Sequence, residues 1–482
     1  MASPRFERSP PMNLSRRSLL QLPAIAAAAT DKFPETGWRL KTRTSKEVLA
    51  SPISIGFETL DRMMFDPERT YPHLAKLGVK WARCQTGWAR TEQRKGEYDF
   101  GWLDNVVDSL LKIGIQPWFN LGYGNTLYTP GPKHPSAVGW VPLNSGEARQ
   151  AWVRYVERLA ERYRTRVKHW ELWNEPNISG FWQPEKPSAE GYMDFVRMTA
   201  PAIRARIPDS VLIGLALAGT SALDYVERCF ELGLGKLVDK ISYHPYRAVP
   251  EENYEADLKA LRGIAHRYKP GMGLWQGENG APSTNNSTGA LRQYEWDEGR
   301  QAKWLLRRLL TDIRLGVELT SYFQTVDMVN YVWSGGQSGQ TNSKGVLRGQ
   351  DYTPKASYYA LQYLCAVFDA ATQPADYLLK IERVDPKLEL PALQCGTFAR
   401  NGYAVCAFWY PANLQEGFGS RRARISVWSG KAAKLENPVL VDLLTGDVTL
   451  PVKPAKSGAG WTFDDVLVKD YPMLITDREA VS

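Results

Sequence analysis

The sequence predicts an α/β chain in which a (β/α)8 barrel is followed by a smaller β-sandwich, and three observations carry this. Short β-branched or apolar runs alternate eight times with longer helical patterns between Ile53 and Phe368, the order of a closed parallel barrel. No G-x-G-x-x-G follows the first run, which removes the open dinucleotide-binding sheet. Beyond Pro374 the texture changes to short strands and turns, as in "NGYAVCAFWY", "RARISVWSG" and "DVLVKDYPMLI", the pattern of a sandwich.

The amino terminus reads as an address. Ser15-Arg16-Arg17-Ser18-Leu19-Leu20 resembles a twin-arginine export signal, followed by an apolar stretch and small residues near Ala27 to Ala29. The apolar run is too short to cross a bilayer. Residues 1–29 are therefore expected to be removed, leaving a periplasmic or secreted bacterial protein that does not insert into a membrane. The formal charge of +8 becomes +5 on cleavage, because the segment holds four arginines against Glu7. That mild excess, with no basic run, no zinc-spaced Cys/His cluster and no phosphate-binding glycine loop, argues against nucleic acid, structural metal and nucleotide chemistry.

The strands are predicted at Ile53–Phe57, Val79–Arg83, Ile115–Leu121, Val167–Trp173, Val211–Leu217, Val238–His244, Gly273–Glu278 and Glu318–Thr325. Between them the helical pattern is explicit at 147–163, where Trp152, Val156, Leu159, Ala160 and Tyr163 form one stripe opposite Arg and Glu. A last helix fits Ser357 to Phe368. The barrel domain is thus expected over 30–370 and the sandwich over 371–482, with 37–49 able to add a strand to the latter. Asn401-Gly402 should close a two-residue hairpin that sets Cys406 opposite Thr397 and Cys395 on the diagonal. Diagonal neighbours lie roughly 7 to 8 Å apart, beyond disulfide reach of about 4.4 to 6.8 Å, so no bridge is expected there.

Barrels of this kind place chemistry at the carboxyl ends of their strands. The fourth strand runs into Asn174-Glu175-Pro176 and the seventh into Glu278-Asn279-Gly280. Strand alternation puts Glu171, Trp173 and Glu175 on one face, with Glu171 deeper and read as a paired structural carboxylate. Two carboxylates facing each other across the mouth at about 5 to 5.5 Å suit double displacement at a sugar carbon. The 17 Trp, 23 Tyr and 15 Phe exceed what one core needs, and sugars are the flat, partly apolar ligands that such rings stack against.

Trp173-Asn174-Glu175-Pro176 with a second glutamate on strand seven resembles the clan A retaining glycoside hydrolases. That resemblance implies Glu175 as acid/base, Glu278 as nucleophile and Asn174 on the sugar 2-hydroxyl. Arg83 in "KWARCQ" is similar to the clan's nucleophile-supporting arginine, and "SYHPYR" puts His244 and Tyr246 where the clan carries a His and a Tyr. The exported barrel with a trailing sandwich looks closest to glycoside hydrolase family 39, which includes β-xylosidases and an exopolysaccharide-degrading branch. "WQGENG" departs from that family's T-E-W/Y pattern, and "SYFQTVDM" lacks the clan's strand-eight Trp, whose place Trp333 in "YVWSGG" is read as taking from a loop. The long aromatic loops after strands three and four put Tyr123 and Trp182 forward as cleft walls. The expected activity is hydrolysis of β-glycosidic linkages in an oligo- or polysaccharide with no metal or cofactor. The competing readings are a transglycosylase and a carbohydrate-binding barrel without catalysis.

Overall fold

The computed structural model describes residues 37–451, 454–458 and 460–482; the segment read as a signal lies outside them. Eight parallel strands close into a barrel: β1 (Ile53–Gly56), β2 (Trp81–Gln85), β3 (Gln116–Asn120), β4 (His169–Glu171), β5 (Val211–Ala218), β6 (Lys240–His244), β7 (Gly273–Asn279) and β8 (Leu319–Tyr322). Closure is made by β8 against β1, with Ile53 opposite Thr320 and Ile55 opposite Tyr322. Each strand falls within a run expected from the sequence or overlaps it closely.

Helices surround the barrel because each sequence stripe faces a strand. Helix Gly146–Tyr163 starts where the Ser145 side chain accepts from the Ala148 amide, and it buries Trp152, Val156, Leu159, Ala160 and Tyr163. A side-chain cap of this kind contributes about 1 kcal/mol, while each fully buried large apolar side chain contributes about 1.5–3 kcal/mol. Packing therefore dominates. Helix Glu298–Arg314 begins the same way at Asp297, and Ala356–Val367 closes the barrel sequence.

The barrel interior is graded. Its lower end holds Trp118, Ile213, Trp275 and Leu319 as a small apolar cluster, with Trp81 packed against it. Trp118 and Trp275 meet edge to face, their centroids 5.2 Å apart, and the indole of Trp118 donates to Ser54 Oγ. The guanidinium of Arg83 lies 5.6 Å above the Trp118 ring. From Arg83 upward the interior is polar, so the indole layer is the floor of the site.

Beyond the barrel, antiparallel strands form two sheets. Seven strands follow the order Trp38–Arg39, Asp447–Thr449, Pro438–Asp442, Met473–Asp477, Tyr403–Trp409, Gln394–Arg400 and Thr372–Pro374, and four follow the order Leu378–Arg383, Arg421–Trp428, Gly460–Val468 and Pro454–Ser457. At the Asn401-Gly402 turn Arg400 pairs with Tyr403, so Cys406 stands opposite Thr397; all five cysteines are unbridged. Glu251, in the loop after β6, ties this part to the barrel. It pairs with Arg307 and accepts from the Trp409 indole, while Arg307 also donates to the Ala412 carbonyl.

Candidate active site

The site grows from Arg83 in the middle of β2, fully buried and hydrogen-bonded to three carboxylates. Its Nε and Nη2 donate to Oε2 of Glu171, and its Nη1 donates at 2.8 Å to Oε2 of both Glu58 and Glu278. Its Nη2 also donates to Oδ1 of Asn174 at 2.8 Å. Glu171 accepts further from Asn120 and Ser242, which makes it the buried, paired carboxylate expected from the sequence. A planar guanidinium can serve this many acceptors in fixed directions, as a lysine could not.

Strand alternation does not continue from Glu171 to Glu175. Strand β4 ends at Glu171, and Trp173 and Glu175 take left-handed φ values of 81° and 49°. The expected shared face is thus broken: the Trp173 ring packs outward on Trp182 and Phe195 while Glu175 turns to the mouth. The neighbouring strand accommodates the turn. Leu215 and Ala216 are themselves left-handed, the β5–β6 register shifts there, and the Ala216 carbonyl accepts from the Glu175 amide at 2.8 Å. Such conformations cost on the order of 1 kcal/mol each and are held by the barrel around them.

Glu278 stands on β7 at a second register shift, between Gln276 and Asn279. The preceding Gly277 is sterically required. A Cβ there would lie 2.9 Å from Oε1 of Glu171 and 3.2 Å from Nε2 of His244, which gives the departure in "WQGENG" a physical reason. Glu278 accepts from Arg83 on Oε2 and from the Tyr246 hydroxyl on Oε1, each at 2.8 Å. Burial, and then the negative charge of Glu278, hold the Tyr246 phenol well above its usual pKa, so it remains a donor.

Glu175 is held differently. Its Oε1 is hydrogen-bonded to Nδ1 of His244 at 2.9 Å, and burial raises its pKa to about 7 against the opposing pull of Arg83, with Glu171 supplying the like charge. Burial lowers His244 to about 4, so this imidazole is neutral near pH 7. One oxygen of Glu175 and one of Glu278 lie within 4.8 Å of each other and of a His244 nitrogen. That spacing alone would admit a cation. However, Glu278 already has Arg83 on one oxygen and Tyr246 on the other, an arrangement better matched to stabilising a carboxylate than to metal ligation.

Of the remaining expected residues, Tyr123, three residues past β3, is buried and so is not the open cleft wall expected; its hydroxyl accepts from Gln85 Nε2 at 3.1 Å. Trp333 is 46% exposed on a small hairpin, and the adjacent Val332 carbonyl accepts from Arg62 at 2.9 Å. Trp182 corrects the expectation in the same way as Tyr123. It is completely buried, enclosed by Trp173, Tyr192 and Phe195, and is a core residue rather than a cleft wall. Glu58, just past β1, was not singled out from the sequence. It is buried, its Oε1 has no hydrogen-bond partner among the described residues, and burial raises it to about 8, with Arg83 opposing and Glu278 adding.

Fold and site together define a (β/α)8 barrel with a carboxylate pair at the carboxyl ends of β4 and β7. Comparison with known proteins narrows the class: residues 75–260 match the family described as Glycosyl hydrolases family 39. That stretch contains Arg83, Asn174, Glu175, His244 and Tyr246, and stops short of Glu278. A β-xylosidase of Geobacillus stearothermophilus is 28% identical over 165 residues, 32% of each chain, and one of Caldicellulosiruptor saccharolyticus is 25% identical over 320 residues, 60% of this chain and 62% of that protein. The chain thus spans about a third to three fifths of these relatives' lengths. Among solved structures, a family 39 glycoside hydrolase from Bacteroides cellulosilyticus WH2 superposes with a TM-score of 0.64 at 19% identity, covering 90% of this chain and 82% of that one. A family 39 β-xylosidase from Caulobacter crescentus gives 0.53 at 17%, covering 92% and 98%. At these identities the structural likeness speaks for the fold.

Proposed function

We propose that the chain is a retaining glycoside hydrolase that cleaves β-linkages of an oligo- or polysaccharide by double displacement. The observation that carries this reading is the division between the two glutamates: Glu175 raised to about 7 by burial, and Glu278 held by Arg83 and Tyr246. Protonated Glu175 gives its proton to the leaving oxygen as a carboxylate oxygen of Glu278 attacks the anomeric carbon; the glycosidic bond breaks as the ester forms. Ionised Glu175 then takes a proton from water, whose oxygen displaces Glu278 and restores the first state. Asn174, with Oδ1 fixed by Arg83, has its amide N–H groups left to donate to the sugar 2-hydroxyl. The names of the relatives, β-xylosidases, β-glucosidases and two phospho-β-glucosidases, favour a β-pyranoside at the cleaved position. The two antiparallel sheets are read as one β-sandwich domain over 371–482, and the mature protein as exported after loss of residues 1–29.

Stereochemistry of azide rescue tests the roles. Glu278→Gly with azide should convert an activated β-glycoside to the α-glycosyl azide, a single inversion. Glu175→Ala should accumulate the glycosyl-enzyme from a good leaving group and release the β-glycosyl azide. The same anomer from both variants would refute the assignment.

A further inference from the structure

A cavity of about 510 Å³ lies among the loops that follow β1, β2 and β3, on the same face of the barrel as the two glutamates. We infer that this cavity is a second carbohydrate subsite, taking a further sugar unit of the chain whose linkage the glutamates cleave. The inference rests on the hydrolase reading and deepens it, since it makes the substrate an oligosaccharide longer than a disaccharide.

Position comes first. Arg62 forms one wall of the cavity, and its Nη1 donates at 2.8 Å to Oε1 of Gln85. Nε2 of Gln85 donates in turn to Glu58 and to the Tyr123 hydroxyl, and Glu58 shares Nη1 of Arg83 with Glu278. A chain of hydrogen bonds through Gln85, Glu58 and Arg83 therefore links the cavity wall to Glu278.

The lining chemistry suits a polyhydroxyl ligand. Asp61 is buried and its Oδ1 accepts from Arg62 at 2.8 Å, while its Oδ2 has no hydrogen-bond partner among the described residues. A buried carboxylate oxygen with no donor is costly unless a ligand or water supplies one, and a sugar hydroxyl is such a donor. His134 engages Ser136 Oγ through Nδ1 at 2.8 Å, so Nε2 is the nitrogen left for a ligand, and burial lowers its pKa, which favours the neutral ring. Trp102 adds an indole, capped by Arg90 at 4.4 Å from its centroid. Acidic residues on the lining (Asp61, Glu92, Asp99) outnumber the arginines (Arg62, Arg90), which disfavours an anionic sugar. The volume lies within the range of small-molecule sites, roughly 300–1,000 Å³, and accommodates a neutral pyranose with its water.

The test is chain-length dependence measured on the intact protein. Hydrolysis of β-1,4-xylo- and cello-oligosaccharides of two to six units is compared with turnover of the 4-nitrophenyl β-xyloside and β-glucoside. Wild type should gain about tenfold or more in kcat/KM from dimer to pentamer in one series, on the scale of one added sugar held by a few hydrogen bonds. Gln93→Trp, which fills the cavity from its exposed rim, and His134→Ala, which removes a contact without adding bulk, should each cut the pentamer-to-dimer ratio about fivefold or more. Turnover of an aryl glycoside with no gain by chain length, or variants that keep the wild-type ratio, would overturn the subsite alone. No turnover of any of these compounds would overturn the hydrolase reading and the subsite with it.

Discussion

Nδ1 of His244 lies 2.9 Å from Oε1 of Glu175, and burial moves the two groups in opposite directions, the imidazole down to about 4 and the carboxyl up to about 7. Between those values the pair is a neutral imidazole beside a protonated acid. The proton needed by a leaving group is thus present below about pH 7 and lost above it. The expected profile of kcat/KM has an alkaline limb with an apparent pKa near 7. Measured on an aryl glycoside with a good leaving group, that limb should vanish in Glu175→Gln. A limb that persists in the variant would assign it to another group.

Glu58 should make the fold sensitive to alkali. Its carboxyl is raised from 4.5 to about 8, so between those values the unfolded chain has released a proton that the folded chain retains. Stability therefore falls as pH rises from about 4.5 to about 8. Glu58→Gln keeps an acceptor for Arg83 and removes the titration, so its melting temperature should gain on wild type across that interval, by about 2 °C or more at pH 8. Parallel melting curves at pH 5 and pH 8 would contradict this.

Replacing Arg83 should damage catalysis and stability together. Arg83→Met leaves Glu171 buried without its cation and Glu278 with Tyr246 alone. Breaking such a buried pair costs about 3–5 kcal/mol, and loss of a charge-stabilising donor at the reacting centre costs about 10²–10³ in kcat. Thermal melting and steady-state kinetics on one preparation check both.

The two tryptophans singled out from the loops should separate. Trp182→Ala empties a wholly buried site and is expected to cost about 3–5 kcal/mol. Trp333→Ala should leave the melting temperature within about 1 °C and raise KM for oligosaccharides. The reverse outcome would return Trp182 to the cleft.

The export reading is tested in the native host. Arg16→Lys with Arg17→Lys should leave the precursor in the cytoplasm, while the unaltered chain should yield a mature amino terminus near Ala29 in the envelope or medium. A mature protein beginning at Met1 would refute it.

The barrel was legible because its strands are buried on both faces and bounded by helical periodicity, a signal that needs no tertiary information. The carboxylate pair was legible because strand ends in this fold converge. What failed was alternation past Glu171, since nothing local announces left-handed backbone at a tryptophan followed by Asn-Glu-Pro, and the matching distortion sits on another strand at Leu215 and Ala216. Trp182 was misplaced because a loop aromatic is the same letter whether it faces ligand or core. Glu58 was missed because its meaning lies in Arg83, which is adjacent only across the β1–β2 pairing.

The hairpin at Asn401-Gly402 has a consequence for the protein's covalent life. Its two thiols, Cys395 and Cys406, stay apart, and burial lifts them to about 11 and about 12; Cys84, Cys229 and Cys365 are buried and raised as well. Thiolate, the form that attacks a disulfide or is oxidised, is thereby almost absent at neutral pH. The chain can reach its final covalent state in a reducing compartment and keep it in an oxidising one, with no bond to form on arrival and no exchange partner to offer. If the proposed export holds, a molecule carried across a membrane already folded would have need of that indifference.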